Sequence, residues 1–592
     1  MNFLKNVLST VVGIFIFFFA FFFFIILLGA LLGGEEKIEV KNKSVIELDL
    51  AKVTNDYGGK FNYKDMPFLN DKAEKEGLSD VIKAIEIASK DSKIEGISIL
   101  NNPLNLGVAQ TKALRDELEK FKKSGKFVVA YSNVMTQKEY YLNSVASKVF
   151  LNPVGEVDFK GLSSSILYMK DFQDKSGIKM EVIRHGKYKS AVEPFLTNTM
   201  SPENREQITT FLNSIWSSIV QDISKSRNIP VEKLNSIASE LSARTPQLAL
   251  ENKLVDVIAY EDKYHDYIKS VIGIKDQKEN YNKISILDYA ESTVEDETFS
   301  SKDKIAIIYA QGEITSGEGD VNEIGEGSMR RALEEAREDD DIKAIVLRVD
   351  SPGGSALTSD LIWREIELTK KVKPVVVSMG NLAASGGYYI SCNANKIFAE
   401  SSTITGSIGV FGMLPNFHGI ASKYGFNSEM VETHKNAGGY DPFQPIDNDF
   451  KNFTQEGVES IYKTFVSRVA AGRKMTFEQV DAIAQGRVWS GTDALKLGLV
   501  DKIGGMDDAI AYAASLVNVK DYATVDYPEY EKDIDSFFGG NGFFSSLGLF
   551  QSTETLLKEE LGEENYQMIQ NIKSLNSKKG VQAIMPFEVN IN

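Results

Sequence analysis

Ser385 occupies the position in this sequence that best suits a nucleophile. It lies in the segment MGNLAASGGYY at 379–389, among small residues, between a predicted strand and a predicted helix. Small neighbours give a carbonyl group access to the serine oxygen, and a helix start supplies unpaired N–H groups and a positive dipole. The position therefore suits nucleophilic catalysis. The alternative is a serine that only caps the helix, which is common.

A serine nucleophile needs a base, and Lys189 is the candidate. None of the histidines has an obvious pairing pattern with Ser385; they are His185, His265, His418 and His434. Lys189 lies in the segment RHGKYKSAVEPF at 184–195. A lysine with its reference pKa of about 10.4 is protonated at neutral pH. Burial lowers that pKa, and Arg184, His185 or Lys187 would add repulsion if they faced inward. The alternative is a solvated surface lysine.

A glycine-rich segment, DSPGGS at 350–355, follows a predicted buried strand. Two glycines allow unusual backbone angles and a close approach of N–H groups to a bound oxygen. We expect the backbone N–H groups of Gly354 and Ser385 to hold an oxyanion, at roughly 3–4 kcal/mol per donor. A plain glycine-rich turn is the alternative. The phosphate-loop pattern is absent from this segment.

Two long segments of the chain match at a fixed offset of 248 residues. FVVAY at 127–131 matches VVVSM at 375–379, and Tyr140 matches Tyr388. The register persists over about a hundred positions, which indicates two copies of one domain in tandem. We place the first copy at 35–300 and the second at 301–530.

The two copies differ where chemistry is predicted. At the fixed offset Ser385 corresponds to Gln137, and Lys189 corresponds to Ala437. Each copy therefore lacks the residue that the other keeps. One site shared between the copies, with the lysine from the first and the serine from the second, explains both losses.

Within each copy, apolar strands alternate with helical segments, which indicates α/β architecture. In the second copy the expected strands and helices follow one another closely: strands at 304–309, 342–349, 374–379 and 396–398, and helices at 328–339, 359–371, 385–392, 450–472 and 476–485. The charged region 262–302 is predicted to join the copies. The tail, 531–592, has no assignment.

Residues 6–34 carry no charged side chain. About 20 apolar residues span a bilayer, so this stretch predicts a single transmembrane anchor. The positive-inside tendency places residues 1–5 in the cytoplasm and the remaining chain outside the membrane. A cleaved signal peptide is the alternative, although its apolar region is usually shorter, about 7–15 residues.

Composition excludes several classes of protein. The chain has 592 residues, with 83 acidic and 66 basic side chains and a net charge of −17. This balance argues against nucleic-acid binding, which needs a basic footprint. The single cysteine, Cys392, cannot form an intrachain disulfide or a multi-cysteine metal site. We expect no metal and no cofactor.

Four segments together resemble one known family. VDSPGG at 349–354, NLAASGGYYIS at 381–391, STITGSIGVFG at 402–412 and GKYKSAVEPF at 186–195 are similar to those of signal peptide peptidase A, also called protease IV, in its long two-copy form. The resemblance implies a tandem of Clp protease/crotonase-like domains and a Ser/Lys dyad with Ser385 as nucleophile and Lys189 as general base. It also implies that Ser407 hydrogen-bonds the lysine; Phe159 takes that place in the first copy.

The resemblance further implies a homotetrameric endopeptidase on the outer, periplasmic side of the inner (cytoplasmic) membrane. Its substrates would be cleaved signal peptides and other apolar peptides in or at the bilayer. Two other functions stay open from the residues alone. One is a crotonase-like acyl-CoA enzyme on the same scaffold, and the other is a non-catalytic membrane scaffold.

Overall fold

The structure is a computed structural model that describes residues 2–32, 38–63, 75–276, 278–297, 301–532 and 582–585. It divides into two units, Met1–Lys41 and Asn42–Asn592. The first unit contains helix α1 (Asn2–Leu32). A search of the described residues finds no helix both long and apolar enough to cross a membrane. The predicted anchor at 6–34 lies partly outside the described residues, and it stays a prediction.

The first copy is built on a parallel sheet. Its elements in chain order are β1 (Ser44–Glu47), β2 (Lys60–Tyr63), α2 (Leu78–Lys90), β3 (Ile94–Leu100), α3 (Val108–Lys123), β4 (Phe127–Met135), α4 (Gln137–Asn143), β5 (Lys148–Val157), α5 (Lys170–Ser176), β6 (Lys179–His185), α6 (Glu193–Leu196), α7 (Pro202–Arg227), α8 (Val231–Ser239), α9 (Pro246–Glu251), β7 (Val257–Ile258), α10 (Glu261–Val271), β8 (Asn282–Ser285) and α11 (Ile286–Glu297). The sheet has the order β7-β5-β4-β3-β1-β8. Its strands are apolar because helices cover both faces.

The second copy repeats this plan. Its elements are β9 (Lys304–Gln311), β10 (Glu313–Thr315), β11 (Gly319–Asp320), β12 (Glu323–Gly325), α12 (Glu326–Glu338), β13 (Ile342–Ser351), β14 (Gly353–Ser355), α13 (Ala356–Thr369), β15 (Val375–Ala384), α14 (Gly386–Ser391), β16 (Lys396–Ala399), β17 (Ile404–Gly406), β18 (Val410–Asn416), α15 (His418–Lys423), α16 (Asn448–Arg473), α17 (Phe477–Ile483), β19 (Val488–Ser490), α18 (Gly491–Lys496), β20 (Lys502–Ile503), α19 (Met506–Leu516), β21 (Ala523–Tyr527) and β22 (Glu529–Lys532). Its main sheet has the order β19-β17-β15-β13-β9-β21. The strands and helices predicted for this copy are confirmed.

The charged region 262–302 does not simply join the copies. It forms most of α10, then β8 and α11, and β8 pairs with β1 at the edge of the first sheet. Besides joining the copies, the region therefore forms regular elements over most of its length. Its charges are those of amphipathic elements that expose one face to water, a pattern that composition alone cannot separate from a linker.

A third sheet joins the two copies. Its order is β11-β12-β10-β14-β23-β18-β6, where β23 is Gln582–Ile584. Strand β6 of the first copy pairs antiparallel with β18 of the second, from Lys179 opposite Asn416 to His185 opposite Val410. Ile183 on β6 packs within the apolar core of the second copy. This pairing carries the loop after β6, with Lys189, into the second copy.

Candidate active site

Lys189 and Ser385 meet at the junction of the copies. Lys189 Nζ lies 2.9 Å from Ser385 Oγ, 3.0 Å from Ser407 Oγ and 3.2 Å from the carbonyl oxygen of Ser407. All three residues are fully buried. The sequence predicts a role for each of the three, and the structure brings them together although Lys189 and Ser385 are 196 residues apart.

The backbone around Lys189 is held by the second copy. The N–H of Tyr188 donates to the carbonyl of Gln485 at 3.0 Å. Gly486 has a φ of +80°, and a Cβ there would lie 2.6 Å from Cβ of Lys189. A side chain at Gly486 would therefore push the lysine out of place. The sequence alone does not single out this glycine, because its role depends on a contact across the copies.

Burial lowers the pKa of Lys189 well below the usual 10.5. Desolvation disfavours the charged amine, and the contacts of Nζ are hydroxyl and carbonyl oxygens rather than carboxylates. Repulsion from neighbouring basic groups is not the cause: Arg184 donates to the Lys189 carbonyl at 3.3 Å, and His185 contacts Glu459. A neutral amine next to a serine hydroxyl can accept its proton.

Ser385 has a strained backbone at the start of α14, with φ +56° and ψ −113°. A non-glycine residue in such a conformation costs of order 1–3 kcal/mol, and such residues cluster at active sites. Its side chain makes no helix-capping hydrogen bond, so the alternative of a plain cap serine is wrong. Its hydroxyl instead faces Lys189.

The backbone donors near Ser385 differ from the expected set. The N–H of Ser385, which the sequence assigned to the oxyanion, donates to the carbonyl of Gly406 at 2.9 Å. Gly386 is the first residue of α14, so its N–H has no acceptor within the helix. A Cβ on Gly353 would lie 2.7 Å from that nitrogen. Gly354 follows directly in β14 with a φ of +157°. The glycine pair of the DSPGGS segment thus borders the start of α14.

The corresponding positions of the first copy serve its packing. Gln137, at the place of Ser385, is buried and its side-chain oxygen accepts from the N–H groups of Lys160 and Gly161 at 3.0 and 2.7 Å. Phe159, at the place of Ser407, packs against Trp216 with ring centroids 5.3 Å apart. At these two positions the first copy therefore has packing and hydrogen-bond contacts in place of the two serines.

A buried ion pair links the copies behind the site. Asp56 of the first copy lies 2.7 Å from Nε of Arg348 in β13. Asp350, two residues on, accepts from the Leu382 N–H at 2.8 Å and from the Asn381 side chain at 2.9 Å. Burial, followed by the charge of Asp56, raises the pKa of Asp350 to about 7. This network was not predicted from the sequence; the single arginine in the apolar strand 342–349 is the residue that indicates it.

Comparison with known proteins agrees with a hydrolytic site built from two copies. The model of "Peptidase family S49" matches residues 120–274 and 367–520, one match in each copy. The protein is thus a serine peptidase. More specifically, the chain belongs to peptidase family S49, and the tandem repeat is confirmed.

Several relatives match over long stretches. The chain is 37% identical to "Protease 4" of Salmonella typhi over 78% of this chain and 76% of that protein. It is 33% identical to "Serine protease SPPA, chloroplastic" of Arabidopsis thaliana over 80% of this chain and 71% of that protein. "Putative signal peptide peptidase SppA" of Enterococcus faecium is 31% identical over 48% of this chain and 87% of that protein.

One similar solved structure is that of a ClpP1 point mutant from Listeria monocytogenes. It is 15% identical, with a TM-score of 0.24, over 34% of this chain and 94% of that chain. A likeness of this size supports no conclusion about function.

Proposed function

We propose that this serine peptidase is an endopeptidase with Ser385 as nucleophile and Lys189 as general base. The observation that carries the proposal is the 2.9 Å contact between Lys189 Nζ and Ser385 Oγ inside a fully buried site. Burial keeps the amine neutral at a pH where an exposed lysine is protonated. A histidine is not needed for such a site.

The reaction follows from these contacts. Lys189 takes the hydroxyl proton as Ser385 Oγ attacks the carbonyl carbon of the substrate. Backbone N–H groups of Gly354 and Gly386 stabilise the oxyanion; a lost donor costs about 10²–10³ in kcat in a comparable enzyme. Lys189 then gives the proton to the leaving amine, and water hydrolyses the ester. Ser407, with its hydroxyl at 3.0 Å and its carbonyl at 3.2 Å, orients the amine throughout.

The proposed substrates are extended apolar peptides, among them cleaved signal peptides. Strands β14 and β18 flank a strand position beside Ser385, and a peptide bound there pairs through its main chain on both sides. Main-chain pairing recognises extended peptides with little regard to sequence. A relative from Enterococcus faecium carries the name "Putative signal peptide peptidase SppA", which is consistent with this substrate class. The chemistry requires no metal or cofactor.

We propose that residues 6–34 anchor the protein in the lipid bilayer of the inner membrane, with the catalytic body on the outer, periplasmic side. The uncharged length of this stretch supports the proposal. Alkaline extraction of membranes tests it, since an anchored protein stays with the lipid. Release of the full-length chain into the soluble fraction would contradict it.

Substitution at the two proposed catalytic positions tests the mechanism. Ser385→Ala and Lys189→Ala should each abolish cleavage of an apolar peptide, and a serine-directed phosphonate should label Ser385. Matched controls are Ser391→Ala, on the same helix, and Lys187→Ala, an exposed lysine on the same loop. Both controls should keep near-wild-type activity.

The same experiment separates the two alternative functions. Full activity of Lys189→Ala would refute the dyad. A wild-type protein that turns over an acyl-CoA thioester but no peptide would support a crotonase-like enzyme. A wild-type protein inert to both substrates and to the phosphonate would support a non-catalytic scaffold.

We propose that the chain assembles with copies of itself, as a homotetramer by family resemblance. β6 pairs with β18 inside the chain. At the offset of 248, their counterparts are 427–433 and 162–168, which form no strand in the structure. Ile183 on β6 is only 7% exposed, whereas its counterpart Val431 is 97% exposed. Pairing of 427–433 with 162–168 of a neighbouring chain would bury these residues, and such a head-to-tail contact closes a ring.

Val431→Asp tests this assembly. A buried carboxylate without a partner opposes strand pairing, so light scattering should report a smaller species than for the wild type. Val372→Asp is the control, because Val372 is also well exposed but lies elsewhere on the second copy. Equal masses for the wild type and Val431→Asp would contradict the proposed contact.

A further inference from the structure

The C-terminal segment of the chain lies in the position proposed for a substrate strand. β23 pairs antiparallel with β14, with Ala583 opposite Gly354, and antiparallel with β18, with Gln582 opposite Phe411. Beyond the strand, the Met585 N–H donates to the carbonyl of Pro352 at 2.6 Å. Gln582, Ala583 and Met585 are all buried. The segment is therefore held by main-chain pairing from both flanking strands, as an extended peptide would be.

The carbonyl of Ala583 lies beside the proposed oxyanion donors. A Cβ on Gly353 would lie 2.1 Å from the Ala583 oxygen and 2.7 Å from the Gly386 nitrogen. A Cβ on Gly386 would lie 3.2 Å from the same oxygen. At position 353 only glycine leaves room for this carbonyl, and at position 386 a side chain would crowd it. Because Gly386 directly follows Ser385, the Ala583 carbonyl lies where the bond to be cleaved must present its oxygen.

We propose that the C-terminal segment is an internal substrate, and that Ser385 cleaves the bond between Ala583 and Ile584. This inference rests on the proposed function. Ser385 Oγ forms an ester with the carbonyl carbon of Ala583, and its proton passes through Lys189 to the nitrogen of Ile584. Residues 584–592 leave with a new amino terminus. Water then hydrolyses the ester, which leaves a carboxylate on Ala583 and restores the serine hydroxyl.

Attachment of this segment to the same chain should limit the access of other substrates to Ser385. An uncleaved tail competes for the same strand position at an effective concentration that is fixed by its attachment to the same chain. External peptides reach Ser385 when the segment has left the strand position. Cleavage within one chain is also first order, so its rate does not depend on protein concentration.

Intact-mass spectrometry of the full-length protein in detergent tests the proposal. Wild type and the control Lys187→Ala should become chains that end at Ala583, with a half-life unchanged by tenfold dilution. Ser385→Ala should keep Asn592. Ala583→Asp should also keep Asn592, because position 583 is only 1% exposed and a carboxylate there opposes binding. Ala583→Asp should still cleave an external apolar peptide.

Three results would overturn the inference. The first is a wild type that cleaves the external peptide but keeps Asn592. The second is a Ser385→Ala chain that is trimmed like the wild type, which would assign the cut to another protease. The third is a half-life that lengthens on dilution, which would mean cleavage between molecules. If the wild type cleaves neither its tail nor the external peptide, the proposed function itself fails.

Discussion

Replacement of Lys189 by methionine should stabilise the protein while it abolishes activity. Lys189 is fully buried, and the hydrogen bonds of its amine are made with two serine residues. Methionine has a similar length and no charge to desolvate, so it fits the same space without a cavity. A residue kept for function at a cost in stability should show both effects at once.

The magnitude follows from the proton that Lys189 loses on folding. In the unfolded chain the amine has a pKa of 10.5, and in the folded chain burial lowers it well below that value. For each pH unit below 10.5 at which the folded amine stays neutral, its deprotonation costs about 1.4 kcal/mol. Hydrogen bonds to Ser385 and Ser407 return roughly 3 kcal/mol at about 1 kcal/mol each. Lys189→Met should therefore be the more stable protein wherever the amine stays neutral more than about two pH units below 10.5, and each kcal/mol of that gain should raise Tm by about 2–4 °C for a domain of this size.

The stability gain of Lys189→Met over the wild type should decrease as the pH rises. Between the folded pKa and 10.5 the unfolded chain binds one more proton than the folded chain, so wild-type stability rises with pH. Over that range the advantage of Lys189→Met should shrink by about 1.4 kcal/mol per pH unit and reverse before pH 10.5. Thermal unfolding at pH 7, 8, 9 and 10 measures it, with exposed Lys187→Met as control. A Tm difference that stays constant with pH would refute a neutral Lys189.

Three further predictions concern the site and the network behind it. The kcat/KM for peptide cleavage should rise with pH through the lowered pKa of Lys189; a rise only near pH 10.5 would mean an ordinary, exposed lysine. Ser407→Ala should lower kcat/KM about tenfold through the loss of one hydrogen bond of about 1.4 kcal/mol. Ser402→Ala should not, because the buried hydroxyl of Ser402 has no hydrogen-bond partner among the described residues. The pKa of Asp350 is raised to about 7, so the folded protein should lose stability as the pH rises from about 4 to 7. Asp350→Asn should flatten that part of a plot of Tm against pH.

Much of the fold and the centre of the site could be predicted from the sequence. Strands and helices follow from local periodicity, so those predicted for the second copy agree with the structure apart from small shifts at their ends, although many short strands were not predicted. The repeat and its complementary losses paired Lys189 with Ser385 without any knowledge of distance. Both residues lie next to strands or helices whose order the repeat fixes. Comparison of the two copies along the sequence was therefore sufficient to propose the pair.

Other features depend on contacts between residues that are far apart in the sequence. The charged region 262–302, predicted to join the copies, lies mostly in α10, β8 and α11, and strand pairing rather than charge decides that β8 lies beside β1. The hydrogen bond from the Ser385 N–H to Gly406 depends on the register between β15 and β17. The position of β23 between β14 and β18 could not be predicted either, because the tail has no counterpart in the repeat.

The sequence by itself determined the tandem repeat and the complementary losses that make Ser385 and Lys189 the proposed pair. The tertiary structure decided that the pKa of Lys189 is lowered, since the pKa of an amine depends on how completely the surrounding residues exclude water. It also decided which N–H groups remain available to an oxyanion and which part of the chain lies against them. Burial and competition for hydrogen-bond partners are properties of the packed molecule, and they decide whether a serine and a lysine can act as the proposed pair.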